Sequence, residues 1–176
     1  QVEKYLDILP EQDLSKENLY IYYTIKAEMN EINSNLDQSY ENYILASEIT
    51  SRNSRKIYVY RKLIKLAEES NDVLSEINFI ELLLDNIEDT NKIKDLKIEW
   101  IEAKKKMGHH EDIVDEVDLI LGDPLFSSIE PKLMIYKARS YKENEKLVLT
   151  REVLSEIIEK FSKKNETSEA YYILAS

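Results

Sequence analysis

NKIKDLKIEWIEAKKKMGHHEDIVDEVDLILG, residues Asn91–Gly122, is the stretch that decides the fold. Ile93, Leu96, Trp100, Ala103 and Met107 recur every three or four residues, which places them on one stripe of an α-helix. Gly108 follows, a residue free to take the left-handed backbone that closes a helix C-terminus. Lys104, Lys105 and Lys106 before it suit the negative end of the helix dipole. A second amphipathic run carries Ile113, Val117, Ile120 and Leu121 and stops at Gly122-Asp123-Pro124. The stretch is therefore a helical hairpin. Neither helix can bury its stripe alone, so the fold depends on whether the rest of the chain supplies similar neighbours.

The composition agrees with such neighbours. Of 176 residues, 43% are apolar and 34% charged, and only 2 glycines and 3 prolines are present. Sheets and long loops draw on glycine and proline for their turns, so this scarcity favours an all-α chain with short polar links. No apolar run approaches the roughly 20 residues of a membrane span. No signal-peptide pattern stands at the start, which leaves secretion open. The lack of cysteine removes disulfides, cysteine nucleophiles and cysteine-based zinc sites together. A net charge of −11 opposes nonspecific nucleic-acid binding, which needs clustered cations against phosphates. Most of the excess lies in residues 1–50, with 10 acidic and 3 basic groups, whereas residues 123–176 hold 9 of each.

In chain order, residues 1–13 read as the tail of a helix with Val2, Tyr5, Leu6 and Leu9 on one face, ended by Pro10. A first hairpin pairs a helix from about Leu14 to Ile32 (Ile21, Tyr22, Ile25, Met29, Ile32), with Ser15 as its N-cap, and one from about Asp37 to Ile49 (Tyr40, Tyr43, Ile44, Ser47). A second pairs Ser54–Ser70 (Ile57, Tyr60, Leu63, Ile64, Ala67) with Asp72–Ile87, whose apolar surface is wide enough to expect neighbours on two sides. The quoted stretch is the third. The fourth begins near Ile129 or Pro131, where proline fits a first helical turn, and runs through Met134, Ile135, Ala138 and Tyr141. It returns through Leu147, Leu154, Ile157, Ile158 and Phe161. Thr167–Ser176 opens a further helix with a capping-box-like start.

The turns centre on Asn35, Asn71, Gly108 and Asn144, which are 36, 37 and 36 residues apart. Paired helices at such a period mark an α-solenoid. The expected organisation is one array: 1–13 the end of a preceding helix, repeats at 14–53, 54–90, 91–126 and 127–165, and 166–176 the start of another helix. The partial repeats at both ends look like a piece of a longer array.

On these residues the chain resembles tetratricopeptide-repeat (TPR) proteins. Ala138 and Tyr141 stand three apart as that family's small residue and tyrosine do. Tyr171, Leu174 and Ala175 begin the pattern again, and Pro10 and Pro124 fall where its closing proline would be. The chain departs in its longer spacing and in lacking the second-helix alanine, with Ile113 and Thr150 near that place. The ending FSKKNETSEAYYILAS is similar to linkers in TPR proteins of the bacterial envelope, which leaves the compartment between bacterial cytoplasm and envelope. The resemblance implies a right-handed solenoid whose first helices line a concave face.

Little points to catalysis or to a cofactor. His109 and His110 are adjacent, without the i, i+4 spacing that brings two imidazoles to one metal, and HHEDI is not HExxH. They read as a solvated turn opening an acidic helix. Glu68-Glu69, Glu88-Asp89 and Glu111-Asp112 lie near helix ends, where exposed carboxylates are ordinary. With Gly108 and Gly122 alone, no phosphate-cradling loop exists, and Asn165-Glu166-Thr167 is a chance glycosylation triplet.

Charge separation between paired helices is more informative. First helices offer Tyr58, Arg61, Lys62 and Lys65, then Lys94, Lys97 and Lys104, then Lys132, Arg139 and Lys142, away from their apolar stripes. Second helices are acidic, with Asp72, Glu76, Glu81, Asp85 and Glu88 and then Glu111, Asp112, Asp115, Glu116 and Asp118. The first helix breaks the pattern, with Lys26 set against Glu17, Glu28 and Glu31. With Tyr20 and Tyr136 added, and Tyr22, Tyr60 and Tyr141 assigned to the core, the resemblance implies a basic, tyrosine-bearing groove. Such a groove suits an extended acidic peptide or a C-terminal carboxylate. The plainer account is that neighbouring helices complement each other's exposed charge, each pair contributing under about 1 kcal/mol. The expected function is a non-catalytic protein- or peptide-binding scaffold without metal or cofactor. Its rivals are a self-associating segment joined through Val2–Leu9 and Tyr171–Leu174, and a peptide-sensing regulatory domain.

Overall fold

The computed structural model describes residues 14–176, and among these it is all-α: nine α-helices, one 3-10 turn and no strand. The helix tail read at residues 1–13 lies outside the described residues. Helices α1 (Lys16–Ile32), α2 (Leu36–Ile49), α3 (Asn53–Ser70) and α4 (Val73–Leu84) belong to a first compact unit, and the division falls between Asp89 and Thr90. The second unit holds α5 (Thr90–Lys106), α6 (His110–Ile120), a 3-10 turn (Pro124–Phe126), α7 (Glu130–Glu143), α8 (Leu147–Lys160) and α9 (Asn165–Ala175). In the first unit α1 packs on α2, α2 on α3 and α3 on α4; in the second, α6 contacts α5 and α7, and α7, α8 and α9 pack together. No described helix is long and apolar enough to cross a membrane.

Each hairpin closes by the same backbone device. Ser34, Asn71, Gly108 and Glu145 all have positive φ, between 57° and 74°. The residue after each sends its N–H five residues back: Asn35 to Asn30, Asp72 to Ala67, His109 to Lys104 and Lys146 to Tyr141, at 2.8, 2.9, 3.0 and 2.8 Å. The left-handed residue itself donates three back, to Glu31, Glu68, Lys105 and Lys142. This pair of bonds is the Schellman motif, which satisfies helix carbonyls otherwise left without donors. The left-handed position in the first and last hairpins is thus Ser34 and Glu145, each one residue from the asparagine expected there. Caps elsewhere follow the chemistry of the sequence. The Ser15 hydroxyl accepts from the Asn18 N–H at 3.3 Å, and the Asp72 carboxylate from the Ser75 N–H at 3.2 Å. Thr167 does not cap: α9 begins at Asn165, and the Thr167 hydroxyl donates to the Phe161 carbonyl at 2.5 Å.

Burial follows the hairpins. Tyr22, Val59, Leu96 and Leu133, one per hairpin, are buried on the first helices. On the second helices Tyr43, Ile80, Val117 and Leu154 are all fully buried, and Ala46, Leu83, Ile120 and Ile157 line up beside them. Ser39, Glu76, Ile113 and Thr150 occupy one further buried position, and the small Ser39 lets its hydroxyl reach the Ala27 carbonyl at 2.9 Å. The buried residues of α1 are Tyr20, Tyr22 and Ala27, while Ile21 and Ile32, expected on the stripe, are 43% and 82% exposed. Leu147, expected in the core, is exposed as well. In the second unit Met134, Ile135, Ala138, Val153, Leu154, Ile157, Ala170 and Ile173 form one cluster joining α7, α8 and α9.

A Cβ at Gly108 would meet nothing within 4 Å, so its substitution tests backbone strain alone. Gly108→Ala is expected to lower stability by about 1 kcal/mol, and Glu145→Gly, relieving the same strain, to raise it by a similar amount. Urea unfolding followed by circular dichroism measures both. Unchanged midpoints in both variants would show that these turns are not held left-handed.

Candidate functional site

In residues 14–89 the basic stripe of α3 is laced to α1. Arg55, Tyr58, Lys62 and Lys65 fall at helical spacings of three and four, so their side chains leave one face. Glu17 accepts from Arg55 and pairs with Arg52 at 3.3 Å, and Glu28 accepts from the Tyr58 hydroxyl. Glu31 accepts from the Lys62 ammonium and the Tyr43 hydroxyl, both at 2.7 Å, with Lys65 at 3.9 Å. Burial pushes the Glu31 carboxyl up, but the bonds from Lys62 and Tyr43 and the two lysine charges outweigh it and hold it below the usual carboxylate range. Burial, then the bond to Glu28, pushes the Tyr58 phenol up to about 12. Tyr20 lies under the Arg55 guanidinium, 4.3 Å from its ring centre, and is buried rather than open to a ligand. Arg61 is partly buried on the same helix. The expected cations are therefore gathered here, but around carboxylates of this chain.

In residues 90–176 the candidates divide. Lys97 bonds Glu116 and Lys104 bonds Asp112 at 2.7 Å, so both turn toward α6, and Lys104 also stands 5.0 Å above the Trp100 ring. Lys132, Tyr136, Arg139 and Lys142 form a stripe on α7, and the last three line a cleft of about 450 Å³. Lys105 from α5, His110 and Ile113 from α6, Glu143 from α7, and Tyr172 and Ile173 from α9 complete its main walls. Three cations and one carboxylate line it, with the buried side chains of Ile113 and Ile173 behind them. A smaller cavity of about 180 Å³ shares Tyr136 and Arg139 and adds Lys132, Glu102 and Glu169.

The cleft residues are held from behind. The Tyr136 hydroxyl donates to Glu102 at 2.5 Å, Glu102 also takes Lys105, and Lys105 and Lys132 stand 5.8 and 6.0 Å from the Tyr136 ring centre. Burial raises the Glu102 carboxyl, yet the bonds from Lys105 and Tyr136 bring it below its ordinary value; burial and Glu102 together raise the Tyr136 phenol. Arg139 reaches Glu169 at 2.8 Å, and Lys142 donates to the Ser176 hydroxyl at 2.7 Å. Tyr136, expected as an open ligand contact, is buried and offers the cleft only part of its ring.

The structure thus brings together Tyr136, Arg139 and Lys142, with Lys132 close by. Tyr58, Lys62 and Lys65 form a separate group, and Lys97 and Lys104 belong to neither. Sequence reasoning missed Lys105, His110 and Tyr172. In the sequence Lys105 belongs to a helix-end basic run and Tyr172 to a terminal apolar surface, and neither pattern marks a cleft residue. His110 is partly buried, its Nδ1 enclosed without a hydrogen-bond partner, unlike the solvated turn residue expected. Among the described residues no three His, Asp or Glu side chains gather as a metal site. No protein-family model, curated protein or solved structure matches the chain.

The lacing in residues 14–89 has a pH signature. A carboxyl whose folded pKa is depressed contributes stability above its unfolded value and loses it as pH falls through the folded one. Glu31→Gln is expected to cost about 1–2 kcal/mol between pH 6 and 8, from lost charge-assisted bonds. The gap to the parent protein closes as pH drops below the ordinary value of 4.5. Thermal unfolding at a series of pH values reads this; a gap that persists or widens in acid contradicts it.

Proposed function

We propose that this chain is a TPR-like α-solenoid segment acting as a non-catalytic peptide-binding scaffold, with its ligand site in the cleft of residues 90–176. Support for the repeat comes from the turns. Ser34, Asn71, Gly108 and Glu145 are each 37 residues after the last. The buried sets that include Tyr43 and Ala46 recur at the same interval. Such recurrence is what stacked, individually unstable hairpins require. Support for the site is the single cleft where Lys105, Arg139 and Lys142 meet Tyr136 and Tyr172 over apolar side chains. Its volume is in the range of small-ligand and short-peptide pockets, about 300–1,000 Å³. The cations favour acidic residues through charge-assisted bonds, and the exposed Tyr172 ring favours an apolar neighbour. This narrows the acidic-peptide groove to one unit: the cations of residues 14–89 hold Glu17 and Glu31, whereas in the cleft Lys142 meets the neutral Ser176 hydroxyl and Arg139 holds a Glu169 that is 37% exposed.

The test uses a fluorescein-labelled six-residue peptide alternating Glu and Leu, with a Lys-for-Glu peptide as control. Fluorescence anisotropy is expected to show binding of the acidic peptide alone, weakened at least tenfold by Arg139→Glu with Lys142→Glu. Both side chains are on the surface of α7, so circular dichroism should be unchanged. Equal binding by variant and parent would sink the reading.

A second reading is favoured by α9, where Tyr171, Tyr172 and Leu174 are 57%, 74% and 40% exposed. Apolar residues so exposed suit self-association. Sedimentation equilibrium should then show mass rising with concentration, abolished by Tyr171→Ser with Leu174→Ser. A concentration-independent monomer mass removes this reading; the other surface expected for it, Val2–Leu9, lies outside the described residues.

A further inference from the structure

The two carboxylates that hold the cleft's cations differ in how firmly they are tied. Glu102 is 40% exposed at its side chain, but it accepts from both Lys105 and the Tyr136 hydroxyl, and these bonds depress its pKa. It acts as a brace, fixing the tyrosine ring and one lysine in position. Glu169 is tied by one ion pair, to Arg139 at 2.8 Å, with side chains 37% and 47% exposed. A single exposed pair of this kind contributes little, because water solvates both partners well when they separate. Arg139, like Tyr136, lines both cavities, whereas Glu169 lines only the smaller one. In the free protein the guanidinium pairs with Glu169 of the smaller cavity, so an acidic ligand that draws it into the larger cleft would do so at the expense of that pair.

We propose that Glu169 of α9 is a built-in competitor for Arg139: it occupies the guanidinium in the free protein and is displaced when an acidic side chain enters the larger cleft. The inference rests on the acidic-peptide reading of that cleft. Displacement requires no movement of helices. α9 is anchored through the buried Thr167, Ala170 and Ile173, so the partly exposed glutamate can rotate away while its helix stays in place. The competitor lowers affinity and sharpens selectivity together. A ligand carrying one weak anionic group gains little over Glu169, whereas one that also reaches Lys105 and Lys142 outcompetes it.

Anisotropy with the same labelled Glu–Leu peptide tests this on Glu169→Gln, Glu169→Asp and Glu102→Gln at low and moderate salt. Removing an exposed competing charge corresponds to about a two- to five-fold tighter dissociation constant for Glu169→Gln. Glu169→Asp, which keeps the charge, stays near the parent. Glu102→Gln weakens binding, because the brace on Tyr136 and Lys105 is lost. Unchanged or weaker binding by Glu169→Gln would overturn the competitor role while leaving the acidic-peptide site intact. Absence of binding by both parent and Glu169→Gln would overturn both. Binding by Glu169→Gln alone would establish both at once.

Discussion

The N–H of Asp72 reaching back to the Ala67 carbonyl, and its three counterparts, determines where the chain reverses, and every other contact depends on that placement. A helix of eleven to eighteen residues is marginal by itself in water. It persists here because the reversal delivers a second helix onto its apolar stripe. Moving the left-handed residue by one position would rotate the next helix by about 100°, following 3.6 residues per turn. Tyr43, Ile80, Val117 and Leu154 would then leave the core. Two of the four positions use residues that tolerate this backbone well, Asn71 and Gly108; Ser34 and Glu145 carry strain that the surrounding packing offsets.

Electrostatics adds direction to this apolar frame. Acidic and basic residues are separated by helix, but the bonds they form do not follow one rule. On α3 the cations meet carboxylates of α1; on α5, Lys97 and Lys104 meet those of α6; on α7, Arg139 meets α9. Exposed pairs contribute little individually. Their main consequence is to decide which cations remain available. In residues 14–89 the basic stripe is laced to Glu17, Glu28 and Glu31; in residues 90–176 the cleft's Lys105 and Arg139 pair with Glu102 and Glu169, and Lys142 meets the neutral Ser176 hydroxyl. The plainer account of the charge pattern therefore describes one unit well, and the ligand-binding account has its support in the other.

The same division governs how much was legible in advance. Helix limits were readable because caps and breakers act locally: Ser15, Asp72 and Pro131 do in the structure what their chemistry dictates. Errors arose where a distant partner overrode a local pattern. Ile21 and Tyr20 are neighbours in the sequence, yet Tyr20 is buried beneath the Arg55 guanidinium of another helix while Ile21 is exposed. Thr167 resembled a cap, but the Phe161 carbonyl, six residues earlier, takes its hydroxyl.

The sequence by itself determined an all-α chain of helical hairpins, where they turn to within one residue, and that this chain has no cysteine chemistry, because these follow from periodicity, punctuation and composition. Only the tertiary structure decided which side chains form a site. Tyr136, Arg139 and Lys142 share a cleft with Lys105, His110 and Tyr172 because α5, α6, α7 and α9 bring them there. Lys62 is lost to Glu31, thirty-one residues away. Spacing along one helix fixes which residues share a face. It carries no record of the carboxylate that packing will place opposite them.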